Sequence, residues 1–476
     1  MSSRSLRVAL ALLVLSSFAL ADDEPPRNPF LARSSWPMTH RDNYRQGSSP
    51  LPGPEDPSAI EIRNLQGDRT PPLQLYSGKY PDGKSVVWNC SLTHISKIDP
   101  ESWTYLDQLE KKPIRDMDRN VTADQIFAYA GAYSFLDCNN DFYTPYVTSI
   151  RVYSDAVRGR RDSRIVLRRS VDITPLLSLD SGDSIIALGL SWDGRIVYLT
   201  VHGVLGILTR EFTEHQSVRL PSSEQIYNAF AMDERGGIYV VTDVAMHRVQ
   251  WTGTRLSRAA KDGAWSAPYG DSEGSGNTFA GSGSTPTLMG TRATDDRFVA
   301  ITDGSKPNVN VLLFWRDRIP ADWTGLPGLD RRIAARAEVR FDEGGSANEQ
   351  SLLVRGYGVV VVNNKYGIEP KGTLGKAAVA LVDNAPRLVA PYGISKFEWD
   401  PKARHLCLRW TSDESCPNGV PTMSAASNLA YFYAQRNGVW GLLALDWTSG
   451  EEGDRDFFFP IPGGRSPEYN SCFSAA

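Results

Sequence analysis

Five residues have the types and settings that could hold a hard cation. Glu349 stands in Ser346-Ala347-Asn348-Glu349-Gln350-Ser351, just before the apolar run 352–354, and Asn363 and Asn364 close the run 357–364. Asp303 closes 295–303, and Asn228 stands just before Ala229-Phe230. Carboxylate and amide oxygens drawn from several chain segments are what Ca²⁺ takes. A cation so held would polarise a carbonyl for attack by water, which is hydrolase chemistry. Clustered carboxylates without a lysine partner repel one another, so a cation or a proton must sit among them. The plainer reading is that Asp, Asn and Thr at turns and strand ends satisfy backbone groups there.

Nucleophilic catalysis has less support in the sequence. No G-x-S-x-G is present, and the six histidines (His40, His94, His202, His215, His247 and His405) show no H-E-x-x-H spacing. His202 follows a β-rich run and is the histidine best placed to act as a general base. The glycine-dense stretch 274–290 lacks both phosphate-loop patterns and is followed by Pro and another strand, not a helix. It reads as a blade insertion or a loop over a channel mouth.

Repeats supply the elements that must position these residues. Asp193-Gly194 is a turn pair, followed by the β-branched and aromatic run 195–200. The same unit returns at 233–243, 295–303 and 357–364. Repetition at this period is the mark of a β-propeller. The expectation is an all-β chain with seven or eight four-stranded blades, the last blade incomplete unless 60–65 closes it. Aligning the polar ends of the second strands gives Asn89, Asp137, Thr200, Thr242, Thr302, Asn363 and Tyr433. The run 469–473 then reads as one more inner strand. Inner-strand starts (Asn228, Thr285, Glu349, Thr422, Asn470) and second-strand ends (Asp137, Asp243, Asp303, Asn363, Asn364) should converge on one funnel. Calcium-dependent lactonases and phosphotriesterases of propeller fold use a Glu, Asn and Asp set at such a mouth, and this chain resembles them in that arrangement.

The segment Trp36-Pro37-Met38-Thr39-His40-Arg41-Asp42-Asn43-Tyr44-Arg45-Gln46-Gly47 resembles the opening of the PQQ-like, quinoprotein-type β-propeller family. Ala444-Leu445-Asp446-Trp447-Thr448-Ser449-Gly450-Glu451 is similar to that family's Ala-x-Asp-x-x-Thr-Gly repeat, with a looser copy at 97–103. The resemblance implies that these residues dock one blade on the next. It does not bring PQQ with it, because the family's dehydrogenases carry a vicinal Cys-Cys pair that this chain lacks.

Composition bounds the partners. The net charge is −4, and losing the two arginines of the leader makes it −6, so no basic excess serves nucleic acid. Residues 1–21 read as a secretory signal, 22–35 as a flexible lead-in, and 36–476 as a single propeller domain. No later stretch is apolar enough to span a bilayer, so the mature protein is expected to be secreted or periplasmic. Five cysteines suggest the pairs Cys90–Cys138 and Cys407–Cys416, with Cys472 left over. Asn89 and Asn120 begin N-glycosylation sequons. Two functions stay open: a propeller binding a protein or small ligand on its loop face, and a Ca²⁺-dependent hydrolase of lactonase or esterase type.

Overall fold

The computed structural model describes residues 23–63, 65, 73–111, 129–177, 182–270, 281–341, 345–365, 393–416, 419–450, 457–464 and 469. The leader, the Asn120 sequon, residues 274–280 of the glycine-dense stretch, Asn470 and Cys472 lie outside these residues.

The strands form seven antiparallel sheets in chain order, at 73–110, 135–172, 185–219, 230–268, 287–338, 353–412 and 422–460, here blades 1 to 7. Each is a four-stranded meander running outward from the channel. Blade 4 carries a second outer strand, Trp265–Pro268, beside Leu256–Ser257, and blade 7 gains Ser48–Ser49 on its inner edge. The four repeat copies of the sequence supply the second strands Ile196–Thr200, Gly237–Val241, Phe298–Thr302 and Gly358–Val362. All are buried throughout, which is why they read as unbroken apolar runs. Outer strands alternate instead, as in Ile165–Asp172, where one face meets water.

Apolar cores lie between successive blades. Phe230, Val249 and Trp251 of blade 4 pack on Val197 and Leu199 of blade 3. Phe298 and Trp315 of blade 5 meet Trp399 of blade 6. At the seam between blades 7 and 1, Ile60 packs on Leu429 and Tyr431, while Arg63 donates to the Glu101 carbonyl at 2.7 Å. The segment before blade 1 therefore bridges the seam, but Ile60 adds no strand to blade 7.

The chain's own N-terminal segment fills the channel. From Trp36 to Ser49 it makes one circuit past the inner strands, meeting the blades in order. Tyr76 of blade 1 donates to the Trp36 carbonyl at 2.8 Å, and Leu136 of blade 2 to that of Pro37 at 2.7 Å. The Asn43 amide reaches the Leu190 carbonyl of blade 3 at 2.7 Å. The carbonyls of Asn43, Tyr44, Gln46 and Gly47 then accept from Met232, Leu288, Val354 and Met423 of blades 4 to 7, at 2.9–3.0 Å. So tight a curl needs left-handed backbone at His40 (φ 57°), Arg41 (79°), Arg45 (62°) and Gly47 (68°). Three of these are not glycine, and such strain persists only where the surroundings over-determine it. Of the expected lead-in, Asn28, Leu31 and Ala32 are buried as well.

Several expectations are corrected. Asp137 lies at the end of the inner strand of blade 2, Phe135–Leu136, and not at the end of the second strand, Phe142–Tyr146. Successive strands are antiparallel, so Cys138 falls at the opposite end of the ring from Cys90, and no Cys90–Cys138 bond forms. Cys407 lies in the extended strand His405–Ser412, which carries it away from Cys416, and both are free. The Asn89 sequon is inside a strand and buried, so it is no glycan acceptor in the folded protein. Blade 7 completes four strands by Pro460, giving seven blades.

Candidate functional site

Call the end of the ring where inner strands begin the upper face, and the other the lower. The upper face carries the candidates named from sequence. The Glu349 backbone N–H donates to Asn364 Oδ1 at 2.6 Å, and the Ala347 and Lys365 N–H groups to Asn363 Oδ1 at 3.2 and 3.1 Å. Blade 6 thus brings Glu349, Asn363 and Asn364 into one joint. Asp303 belongs to the turn of blade 5, where its carboxylate accepts from Ser305 and Asn310 at 2.7–3.1 Å. Asn228 of blade 4 donates to the Ser282 carbonyl at 2.9 Å, and Asp243 accepts from the Gln225 N–H at 2.9 Å. Thr285 and Thr422 are buried at inner-strand starts, and the His202 N–H donates to Asp183 at 3.1 Å. Among the described residues no three His, Cys, Asp or Glu side chains gather as a metal cage.

Beneath this face the channel holds buried side chains of the N-terminal segment. His40 Nε2 lies 2.9 Å from Ser351 Oγ, and Arg45 donates to the carbonyls of Phe230 (3.0 Å) and Thr39 (2.6 Å). Burial, then the Arg45 charge, push the His40 imidazole down to about 3, so it is neutral at ordinary pH. Burial likewise lowers Arg45 to about 10.

The lower face is open between blades 3 and 4. A cleft of about 510 Å³ runs between the inner turns of the two blades, lined by Trp192, Asp193, Glu234, Arg235, Trp251 and Asp262 among others. Asp193 Oδ2 accepts the Trp251 indole N–H at 2.8 Å across the blade junction, and Tyr44 of the channel segment donates to Glu234 at 2.6 Å. Ser257 and Arg255 hold the Asp262 carboxyl below its usual range. Asp233, by contrast, is buried and structural: it accepts from Arg235, Gly237 and Tyr239 at 2.6–2.9 Å. The cleft is thus rimmed by carboxylates over an aromatic wall. Sequence reading missed it because Asp193-Gly194 and 233–237 look like ordinary turns. Only the meeting of two such turns at a blade junction makes a concavity.

No protein-family model matches the chain. Solved structures similar to it include a periplasmic gluconolactonase of Pseudomonas aeruginosa, at 13% identity and TM-score 0.44 over 82% of this chain and 96% of that one. The WD40 domain of SCAP from fission yeast is similar at 11% identity and TM-score 0.41, over 81% and 87%. An uncharacterized protein of Archaeoglobus fulgidus is 37% identical over 465 residues, which is 95% of this chain and 85% of that protein. With that identity over nearly its whole length, the chain belongs to the family of the Archaeoglobus fulgidus protein.

Proposed function

We propose that this protein is an exported propeller that binds a cationic partner, a lysine- or arginine-bearing peptide segment, in the lower-face cleft. One observation carries the reading. Asp193, Glu234 and Asp262 line a concavity in which Arg235 is the one cationic side chain among the described lining residues. Acidic walls beside the part-exposed Trp192 attract ammonium and guanidinium groups by charge and by its ring face, while Trp251 is buried with Arg195 already over its ring. Residues 1–21 support the export reading, and the Asp446–Gly450 turn supports placing the repeats with the quinoprotein type, without the quinone. Isothermal titration with a hexalysine peptide tests the proposal. Saturable binding should weaken about tenfold in Asp193→Asn/Glu234→Gln, a loss of about 1.4 kcal/mol. No heat with the unmutated protein at low salt would sink it.

A second reading keeps Glu349, Asn363, Asn364, Asp303 and Asn228 as ligands of Ca²⁺ in a hydrolase. It is favoured by the 2.6 Å contact that seats Glu349 beside Asn364. Melting with Ca²⁺ against chelator decides it, because a cation bound only by the native state raises Tm.

A further inference from the structure

Blade 4 departs from its neighbours in having a split outer edge, and one residue of that edge faces an unusual pair. Ser266, on the outer strand Trp265–Pro268, stands directly across from His247 on the third strand, Ala245–Trp251. Its Oγ lies 2.7 Å from His247 Nδ1. The other ring nitrogen, Nε2, lies 2.6 Å from Glu224 Oε2. Glu224 comes from the loop joining blades 3 and 4, and the Thr242 hydroxyl donates to the same carboxylate oxygen at 2.7 Å. His247 is only 3% exposed and Glu224 11%, whereas Ser266 faces solvent.

The hydrogen-bond pattern fixes the protons. An ionised carboxylate can only accept, so Nε2 carries the hydrogen and donates to Glu224. Nδ1 then presents its lone pair to the Ser266 hydroxyl. Burial of Glu224 would raise its carboxyl, but the hydrogen bonds from His247 and Thr242 outweigh it and the group is held below its usual range. A hydroxyl, a base within hydrogen-bond reach of it, and a carboxylate orienting that base are the three parts of an activated nucleophile. The ring nitrogens are used in the reverse of the commoner order, which leaves the proton path unchanged. Among the described residues Trp265–Pro268 pairs only with the third strand, and the Tyr269 N–H goes to the Val244 carbonyl, so by alternation the Ser266 N–H turns outward, the kind of donor an oxyanion needs.

We propose that Ser266, His247 and Glu224 form a nucleophilic triad that hydrolyses short-chain carboxylic esters at the outer edge of blade 4. Ser266 Oγ bonds to the acyl carbon as its proton passes to Nδ1. Collapse of the tetrahedral intermediate breaks the ester bond, and the leaving alkoxide takes that proton to depart as the alcohol. Water, deprotonated at the same nitrogen, then attacks the acyl-serine, releasing the carboxylic acid and restoring the hydroxyl. Ser266 and His247 are catalytic residues. Glu224 is a positioning residue that also stabilises the imidazolium. The exposed edge admits a short acyl group and selects little among alcohols.

A fluorophosphonate probe with peptide mapping, and p-nitrophenyl acetate hydrolysis, test this on the full chain. The unmutated protein should gain one adduct at Ser266 and release p-nitrophenolate with a burst. Ser266→Ala, at an exposed position that leaves the fold intact, should lose both. Glu224→Gln should label roughly tenfold or more slowly, with the pH midpoint of labelling moved down because the imidazolium loses its anion. Ser222→Ala, at another exposed serine, should behave as the unmutated protein. An adduct elsewhere, or Ser266→Ala turning over ester at the unmutated rate, overturns the proposal. Equal labelling and an unmoved midpoint in Glu224→Gln overturn the triad.

Discussion

Trp410 in the outer strand of blade 6 donates its indole N–H to the carbonyl of Trp447 in blade 7 at 3.2 Å. Its ring lies so close to Gly450 that a Cβ there would sit 2.1 Å away. Gly450 also has φ +67°, a conformation side chains resist. The turn 446–450 thus has a mechanical role of its own: Asp446 caps it through the Thr448 and Ser449 N–H groups, both at 2.9 Å, and the glycine admits the neighbour's indole. Gly450→Ala should cost about 2–4 kcal/mol, through overpacking plus backbone strain. Urea unfolding measures it, and an unchanged midpoint would refute the docking role.

A buried ion pair ties blade 1 to blade 2. Lys97 Nζ lies 2.5 Å from Asp155, and both are almost inaccessible to solvent. The ammonium also reaches the carbonyls of Arg161 and Ser163, while Tyr80 donates to Asp155 at 2.8 Å. Asp155→Asn leaves a buried cation without its counter-charge and should destabilise by about 3–5 kcal/mol. Lys97→Met/Asp155→Leu should recover most of that loss, since neither charge is then buried. A double variant as unstable as the single one would show that the pair does more than neutralise itself.

The channel segment predicts a shared fate for amides far apart in sequence. Met232, Leu288, Val354 and Met423 donate to four carbonyls, those of Asn43, Tyr44, Gln46 and Gly47, within one short stretch. Their hydrogen exchange should therefore be slow and respond together. Gly47→Val, which forces a branched side chain into φ +68° beside the Pro421 carbonyl, should accelerate all four. Acceleration confined to Met423 would mean that the circuit is not one cooperative unit.

Thiol accessibility follows from where the cysteines fall. Cys138 is exposed, beside Arg210, whereas Cys90 and Cys416 are buried. Burial pushes the Cys416 thiol up to about 12, so it has little thiolate at neutral pH. Alkylation of native protein should mark Cys138 first and leave Cys90 and Cys416 until denaturant is added. A Cys90–Cys138 peptide in a non-reducing map would contradict the structure.

The sequence made the blades legible because a second strand covered on both faces must be apolar throughout, as 196–200 and 298–302 are. It misplaced Asp137 because Phe135–Leu136 is only two residues long, and a strand so short carries no period. It read Trp36–Gly47 as blade material because local chemistry does not reveal that an extended polar segment curls inside a ring. The residues singled out on the upper face do cluster within blade 6, at Glu349, Asn363 and Asn364. Ser266, His247 and Glu224 left no signal at all. Cross-strand pairing and a blade-linking loop join them, and neither has a fixed spacing in sequence.

His40 makes stability depend on pH with a definite sign. It is buried, 2.9 Å from Ser351, and burial with the nearby Arg45 charge lowers its folded value to about 3. An unfolded histidine takes up its proton near pH 6.5. Above that pH both states are neutral there and His40 adds no slope. As pH falls from 6.5 towards 3, the unfolded chain binds a proton that the native protein refuses, so stability declines through that window. Below 3 both are protonated and the loss is complete, on the order of 5 kcal/mol. Carboxylates titrating in the same range would contribute alike to a variant, so the comparison isolates the histidine. His40→Asn suits it, because asparagine tolerates φ 57° and can still hydrogen-bond Ser351. Urea midpoints at pH 7 and pH 4 should fall further for the unmutated protein than for His40→Asn. Equal falls would mean that the imidazole is charged inside the channel, with the segment from Trp36 to Ser49 held open enough to solvate it.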